Sequence, residues 1–197
     1  MNKNHLFTKF FDYINEQIIS DEDKVNLQLN KFKERKDFIN KKFTLIGKGS
    51  ARLVYDINNE YVLKLAKNNK GIAQNKVEIN ISKSNKYNDI IAKVVEFNDN
   101  GNYLIQQKAK SISDDRFEEL TGLQYQGFLY YLRFNKEWDG DNKKFYDSVN
   151  SLIKEFDLDR FDVTDESSWG EVNGKAVLVD YGLDKNVGKK HYGLSYY

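Results

Sequence analysis

The sequence predicts an α+β chain: a five-stranded antiparallel sheet carrying one helix, then a smaller helical lobe, all preceded by an N-terminal helical pair. Three observations carry that expectation. Residues 45–66 (LIGKGSARLVYDINNEYVLKLA) read as strand, glycine turn, strand, Asn-Asn turn, strand. Residues 71–84 are helical, and 90–97 and 103–107 add two strands joined by a loop rich in residues that tolerate positive φ. Beyond residue 108 the apolar period becomes helical, over 117–134 and 144–156.

The elements follow in order. Residues 6–19 place Phe7, Phe10, Phe11, Ile14 and Ile18 at helical spacing. Ser20 with Asp23 three residues on resembles a capping box, opening a second helix with Val25, Leu29, Phe32 and Ile39 on one face. The pair is expected to pack on the main domain. In the third strand Lys64 interrupts an apolar run, and period-two alternation sets it opposite Leu63 and Leu65, beneath the turn at Gly47 and Gly49. Glycines let a backbone lie close over phosphates, and an ammonium from the neighbouring strand can hold the same phosphates.

The helix over 71–84 is expected to bury Ala73, Val77 and Ile81, with Glu78 one residue round from that stripe. Residues 108–115 are polar and read as a hinge. The helix over 144–156 aligns Phe145, Val149, Leu152 and Phe156. The charged loop 135–143 lacks the oxygen spacing and closing glutamate of a calcium loop. Residues 171–180 form a hairpin around Asn173-Gly174, and Asp180-Tyr181-Gly182 sets a carboxylate at the mouth of its second strand. The ending HYGLSYY reads as an aromatic tail packed on the helical lobe.

Composition narrows the function classes. With 31 Lys+Arg against 30 Asp+Glu the net charge is +1, which gives no argument for nucleic acid or an anionic membrane as partner. Thirteen Tyr and thirteen Phe supply a packed core. The absence of cysteine excludes thiolate chemistry and suits a reducing cytoplasm. His5 and His191 lie near opposite termini, which argues against histidine catalysis. No apolar run is long enough to span a bilayer.

Five motifs stand in order: G-x-G-x-x-R-x-V-Y at 47–55, L-K-x-A at 63–66, G-I-A-Q-N-x-x-E at 71–78, S-S-W-G at 167–170 and L-V-D-Y-G-L at 178–183. Together they resemble the protein-kinase-like superfamily, most closely the small kinase-like proteins encoded by bacteriophages and prophages. The resemblance covers about residues 43 to 197. It implies a minimal two-lobe protein-kinase-like fold, with 1–42 a helical extension, 43–108 the N-lobe and 109–197 a truncated C-lobe. It implies ATP and Mg²⁺ as cofactors, held in the cytoplasm of a host cell if the chain is phage-encoded.

The resemblance also implies roles. Gly47, Gly49, Ser50 and Lys64 would bind phosphates, and Glu78 would orient Lys64. Asp180 would hold Mg²⁺ with Ser168; the family's metal-holding asparagine is absent, and Ser167 or Ser168 stands near its place. Asp162 would accept the proton of an attacking hydroxyl. There are departures: Arg160 and Phe161 replace the His-Arg before the catalytic aspartate, and 17 residues follow Asp180. The expected function is phosphoryl transfer to a specific protein or a small-molecule hydroxyl, the latter similar to aminoglycoside phosphotransferases. The alternative is a catalytically inactive, pseudokinase-like phage protein that binds a host or phage protein.

Overall fold

The computed structural model describes residues 18–29 and 31–196. The helix expected over 6–19 lies outside the described residues except for its last two. Helix α1, Asp21–Leu27, opens with a true capping box: Ser20 Oγ accepts from the Asp23 amide, and the Asp23 carboxylate accepts from the Ser20 amide. The second helix of the expected pair is broken. A separate helix α2, Phe32–Ile39, follows, so the expected single stripe is corrected: Leu27 and Ile39 are fully buried, whereas Val25 is 65% and Leu29 37% exposed. Helix α1 turns Asp23 and Leu27 inward, which leaves Val25 on its solvent side.

The main sheet has strands β1 (Thr44–Lys48), β2 (Arg52–Asp56), β3 (Tyr61–Ala66), β4 (Val94–Phe97) and β5 (Tyr103–Gln107). Their order is β1-β2-β3-β5-β4 and every pairing is antiparallel, as expected from the sequence. On one face Leu53, Tyr55, Leu63, Leu65, Tyr103 and Ile105 form an apolar layer, closed by Ile19, Leu27 and Ile39 from the N-terminal helices. The register sets Arg52 opposite Ala66 and Val54 opposite Lys64, so Arg52 and Lys64 share the other face.

Helix α3, Asn69–Lys83, covers that other face, started by Asn68, whose side chain accepts from the amides of Lys70 and Gly71. Here the expected stripe needs correcting too. Ala73 and Val77 are only partly buried, while Gly71, Asn75, Glu78, Ile79 and Ile81 point inward. At Gly71 a Cβ would lie 2.2 Å from the Ala51 carbonyl oxygen, so only glycine allows the helix this close to β2. Gly71→Ala should therefore cost about 1–3 kcal/mol of stability through forced displacement of backbone, measurable by urea unfolding.

The second half is built from β6 (Lys110–Ser111), α4 (Asp114–Thr121), α5 (Tyr125–Arg133), α6 (Lys143–Glu155), α7 (Arg160–Val163), β7 (Trp169–Val172), β8 (Lys175–Leu178) and α8 (Lys185–Val187). The helix expected over 117–134 is two, because Gly122 takes φ +69° and its amide closes α4 onto the Glu118 carbonyl. The expected hinge contains β6, which pairs with β7 and then β8 in a second sheet. The strand expected from residue 90 starts at Val94. Before it, the Ala92 amide donates to the Leu178 carbonyl and the Leu178 amide to the Ile90 carbonyl, each at 2.9 Å. Ile81, Tyr87, Ile90 and Ile91 consequently share a core with Phe117, Phe128, Tyr146, Leu152 and Trp169. No helix among the described residues is long and apolar enough to cross a membrane.

Candidate active site

Two charged side chains on the inner face of the sheet cannot stay buried unpaired, and α3 supplies the counter-charge. Lys64 Nζ donates to Glu78 Oε2 at 2.9 Å, to Glu78 Oε1 at 3.0 Å and to the Val179 carbonyl at 2.7 Å. Arg52 Nη1 donates to Glu78 Oε1 at 2.7 Å, and its Nη2 donates to Asp180 Oδ1 at 2.6 Å. The result is one chain of alternating charge, Lys64–Glu78–Arg52–Asp180, with Glu78 fully buried. Asn75 braces it from α3: its Oδ1 accepts from Arg52 Nη1, and its Nδ2 donates to the Gly101 carbonyl at 2.9 Å.

The electrostatics follow from that chain. Burial works against the Arg52 charge, but attraction from Glu78 and Asp180 overcomes it and raises the pKa. Lys64 is shifted down, chiefly by burial, with Glu78 opposing and Arg52 adding to the fall. Burial pushes Asp180 upward, yet Arg52 and Lys64 hold it down at about 2. The Asp180 side chain is 46% exposed, so the attraction of the two cations governs.

Asp162 stands on α7, where Asp159 Oδ1 caps the helix by accepting from the amides of Phe161 and Asp162. Its Oδ2 is buried with no hydrogen-bond partner. Burial first, and then the negative charge of Asp180, push the Asp162 carboxyl up to about 7. An unfolded aspartate titrates near 4, so the folded pKa is raised and the fold favours the protonated form. The stability this group contributes is complete below about pH 4 and is lost as pH rises to about 7. Thermal melts across that window should show the decline in the wild type, and Asp162→Asn should remove this group's share of it.

Asp162, Ser168 and Asp180 line one cavity of about 600 Å³. Ser168 is buried, and its hydroxyl donates to the Asp162 carbonyl at 2.8 Å, leaving an oxygen lone pair free. Lys64, Glu78 and Asp180 are brought together in the charge chain. The turn at Gly47, Gly49 and Ser50 joins neither group by hydrogen bonds. It is braced instead from the start of α3, with Lys67 Nζ donating to the Gly49 carbonyl and Asn68 Nδ2 to the Ser50 carbonyl.

Among the described residues no group of three or more His, Asp or Glu side chains converges on a metal position. The Asp180 carboxylate, 46% exposed, with the Ser168 hydroxyl oxygen lining the same cavity, nonetheless fits Mg²⁺. That ion is commonly held by one or two carboxylates, with substrate phosphates and water completing its octahedron.

Sequence reasoning assigned no role to Arg52, Asn75, Asp159 or Tyr196. Arg52 had the same signal as Lys64, a lone cation on the same face of an apolar strand. In the aromatic tail expected to pack on the helical lobe, Leu194 is 40% exposed, and the Tyr196 hydroxyl donates to Asp159 Oδ2 at 2.7 Å.

No protein-family model matches the chain, and no curated protein matches it. Among solved structures it is similar to SAICAR synthase from Saccharomyces cerevisiae complexed with SAICAR, at 14% identity and a TM-score of 0.39, over 71% of this chain and 73% of that one. It is also similar to APH(2")-IIa in a ternary complex with streptomycin and ATP, at 14% identity and a TM-score of 0.41, covering 81% and 75% of the two chains. For the gentamicin complex of APH(2")-IIa the values are 14% and 0.43, with 79% and 71% covered.

Proposed function

We propose that this chain is a kinase-like protein that binds ATP·Mg²⁺ and transfers a phosphoryl group to a hydroxyl on a specific protein or small molecule. One observation carries the reading: a buried Lys64–Glu78 pair leads through Arg52 to Asp180, and Asp180 lines one cavity with Asp162, whose Oδ2 is buried without a hydrogen-bond partner. ATP·Mg²⁺ supplies the transferable phosphoryl group and part of the charge that stabilises it.

The chain's own residues do the rest. Lys64, steered by Glu78, holds phosphate oxygens, and amides of the turn at Gly47, Gly49 and Ser50 lie over them. Asp180 holds the metal, with the Ser168 oxygen as a neutral donor beside it. Asp162 takes the acceptor's proton, and its pKa near 7 suits a general base at neutral pH. In this reading 43–108 carries the nucleotide, 109–197 carries the acceptor, and the helices Asp21–Leu27 and Phe32–Ile39 shield the apolar face of the sheet.

Calorimetric titration with ATP, with and without Mg²⁺, tests it. Lys64→Met keeps the length of the stem and removes a charged donor. It should weaken ATP by roughly 10- to 100-fold while barely changing adenosine affinity. Equal loss of both ligands would sink the phosphate-holding role.

A second reading is favoured by one fact of the same geometry: the cations are already engaged. Lys64 directs its donors to Glu78 and Val179, and Arg52 to Glu78, Asn75 and Asp180. A self-neutralised chain of this kind suits a pseudokinase-like module that binds a protein. Absence of ATP binding by the wild type would decide for it.

A further inference from the structure

The Tyr196 side chain is held in a built seat. Its hydroxyl donates to Asp159 Oδ2 at 2.7 Å, and Asp159 is only 4% exposed. Asp159 Oδ1 accepts from two amides of α7, at 2.8 Å from Phe161 and 3.1 Å from Asp162, so the carboxylate is fixed with Oδ2 turned toward the tyrosine. The space for the hydroxyl exists because residue 188 is glycine: a Cβ there would lie 2.0 Å from Tyr196 Oη. Gly193, at φ +68°, turns the chain back, and the Leu194 amide fastens the turn to the Gly188 carbonyl at 3.2 Å. Tyr196 and Asp159 line the same cavity as Asp162 and Asp180. A hydroxyl is therefore seated within proton-transfer distance of a fixed carboxylate, beside the pair of aspartates assigned to the reaction.

We propose that Tyr196 is a phosphoryl acceptor within its own chain, modified at this site with Asp159 as its base; the inference rests on the phosphotransferase reading above. Tyr196 Oη forms a bond to the terminal phosphorus of a nucleoside triphosphate. The bond from that phosphorus to the bridging oxygen breaks, and its electron pair leaves on the nucleoside diphosphate. The phenolic proton goes to Asp159 Oδ2. The product carries about −1.5 to −2 charge facing Asp159, so the modified tail is expelled from the seat and the cavity opens to other acceptors.

The full-length protein is incubated with ATP and Mg²⁺ and followed by intact mass and peptide mapping. The expected result is one phosphoryl group per chain, on Tyr196, at a rate independent of protein concentration, and none in Tyr196→Phe. Asp159→Asn keeps an acceptor for the helix cap but no base, so it should slow the labelling by roughly 10²–10⁴-fold. A second readout needs no turnover: Tyr196→Ala should bind p-cresol in the vacated seat by ligand-observed NMR, and the wild type should not. Phosphate on another residue, or none while calorimetric ATP binding is intact, overturns the proposal and leaves the nucleotide-binding reading standing. Failure of ATP to bind at all removes both. Failure of Tyr196→Ala to take up p-cresol overturns the seat.

Discussion

Glu78→Ala should destabilise the protein by about 3–5 kcal/mol, the range expected when one partner of a buried ion pair is removed. Glu78 is fully buried and, among the described residues, is the only carboxylate that both Lys64 and Arg52 contact directly. Deleting it leaves two cations facing one another away from water, with Asp180 able to neutralise just one of them. Denaturant unfolding measures the loss. Glu78→Gln separates charge from shape, because the amide fills the same space and still accepts hydrogen bonds. A loss as large for Gln as for Ala places the cost in the charge, and a small loss for Gln places it in packing.

Asp162→Asn should lower turnover by roughly 10²–10⁴-fold and leave nucleotide affinity nearly unchanged. The substitution preserves shape but removes the lone pair that takes the acceptor's proton. It also removes the charge that repels Asp180, so metal holding has no reason to weaken. Single-turnover rates together with calorimetric ATP affinities check both halves. A fall in affinity parallel to the fall in rate would show that Asp162 holds the ligand rather than the proton. Turnover in the wild type should rise with pH through about 7, and the residual rate of Asp162→Asn should not.

Much of the sheet was legible because its signals are local. Alternation in residues 45–66, the turn residues between strands and the Asn173-Gly174 hairpin each act within a few residues, and the structure follows them. The errors arose where distant partners decide. The inward stripe of α3 was read from apolar residues, but that face meets Arg52 and Lys64, so Asn75 and Glu78 are buried and Ala73 is left at the margin. The strand start at residue 90 failed for a similar reason, since Leu178 captures the hydrogen bonds of Ile90 and Ala92. Of the site, Lys64, Glu78 and Asp180 could be picked out by order along the chain. Arg52 carries the same local signal as Lys64, but its role depends on two carboxylates 26 and 128 residues away.

That last separation has a consequence for how the protein is made. During synthesis Arg52, Lys64 and Glu78 leave the ribosome long before Asp180, and the 102 residues from Glu78 to Asp180 correspond to roughly 5–20 s at about 5–20 residues per second. Throughout it the nascent sheet holds two cations against one buried carboxylate. Leu178, which completes the hydrogen bonding of Ile90 and Ala92, is equally late. The first half of the chain therefore waits for the second with an unbalanced charge and open backbone groups. A slow ribosome at codons 110–175 would prolong that vulnerable interval without altering a single residue of the product.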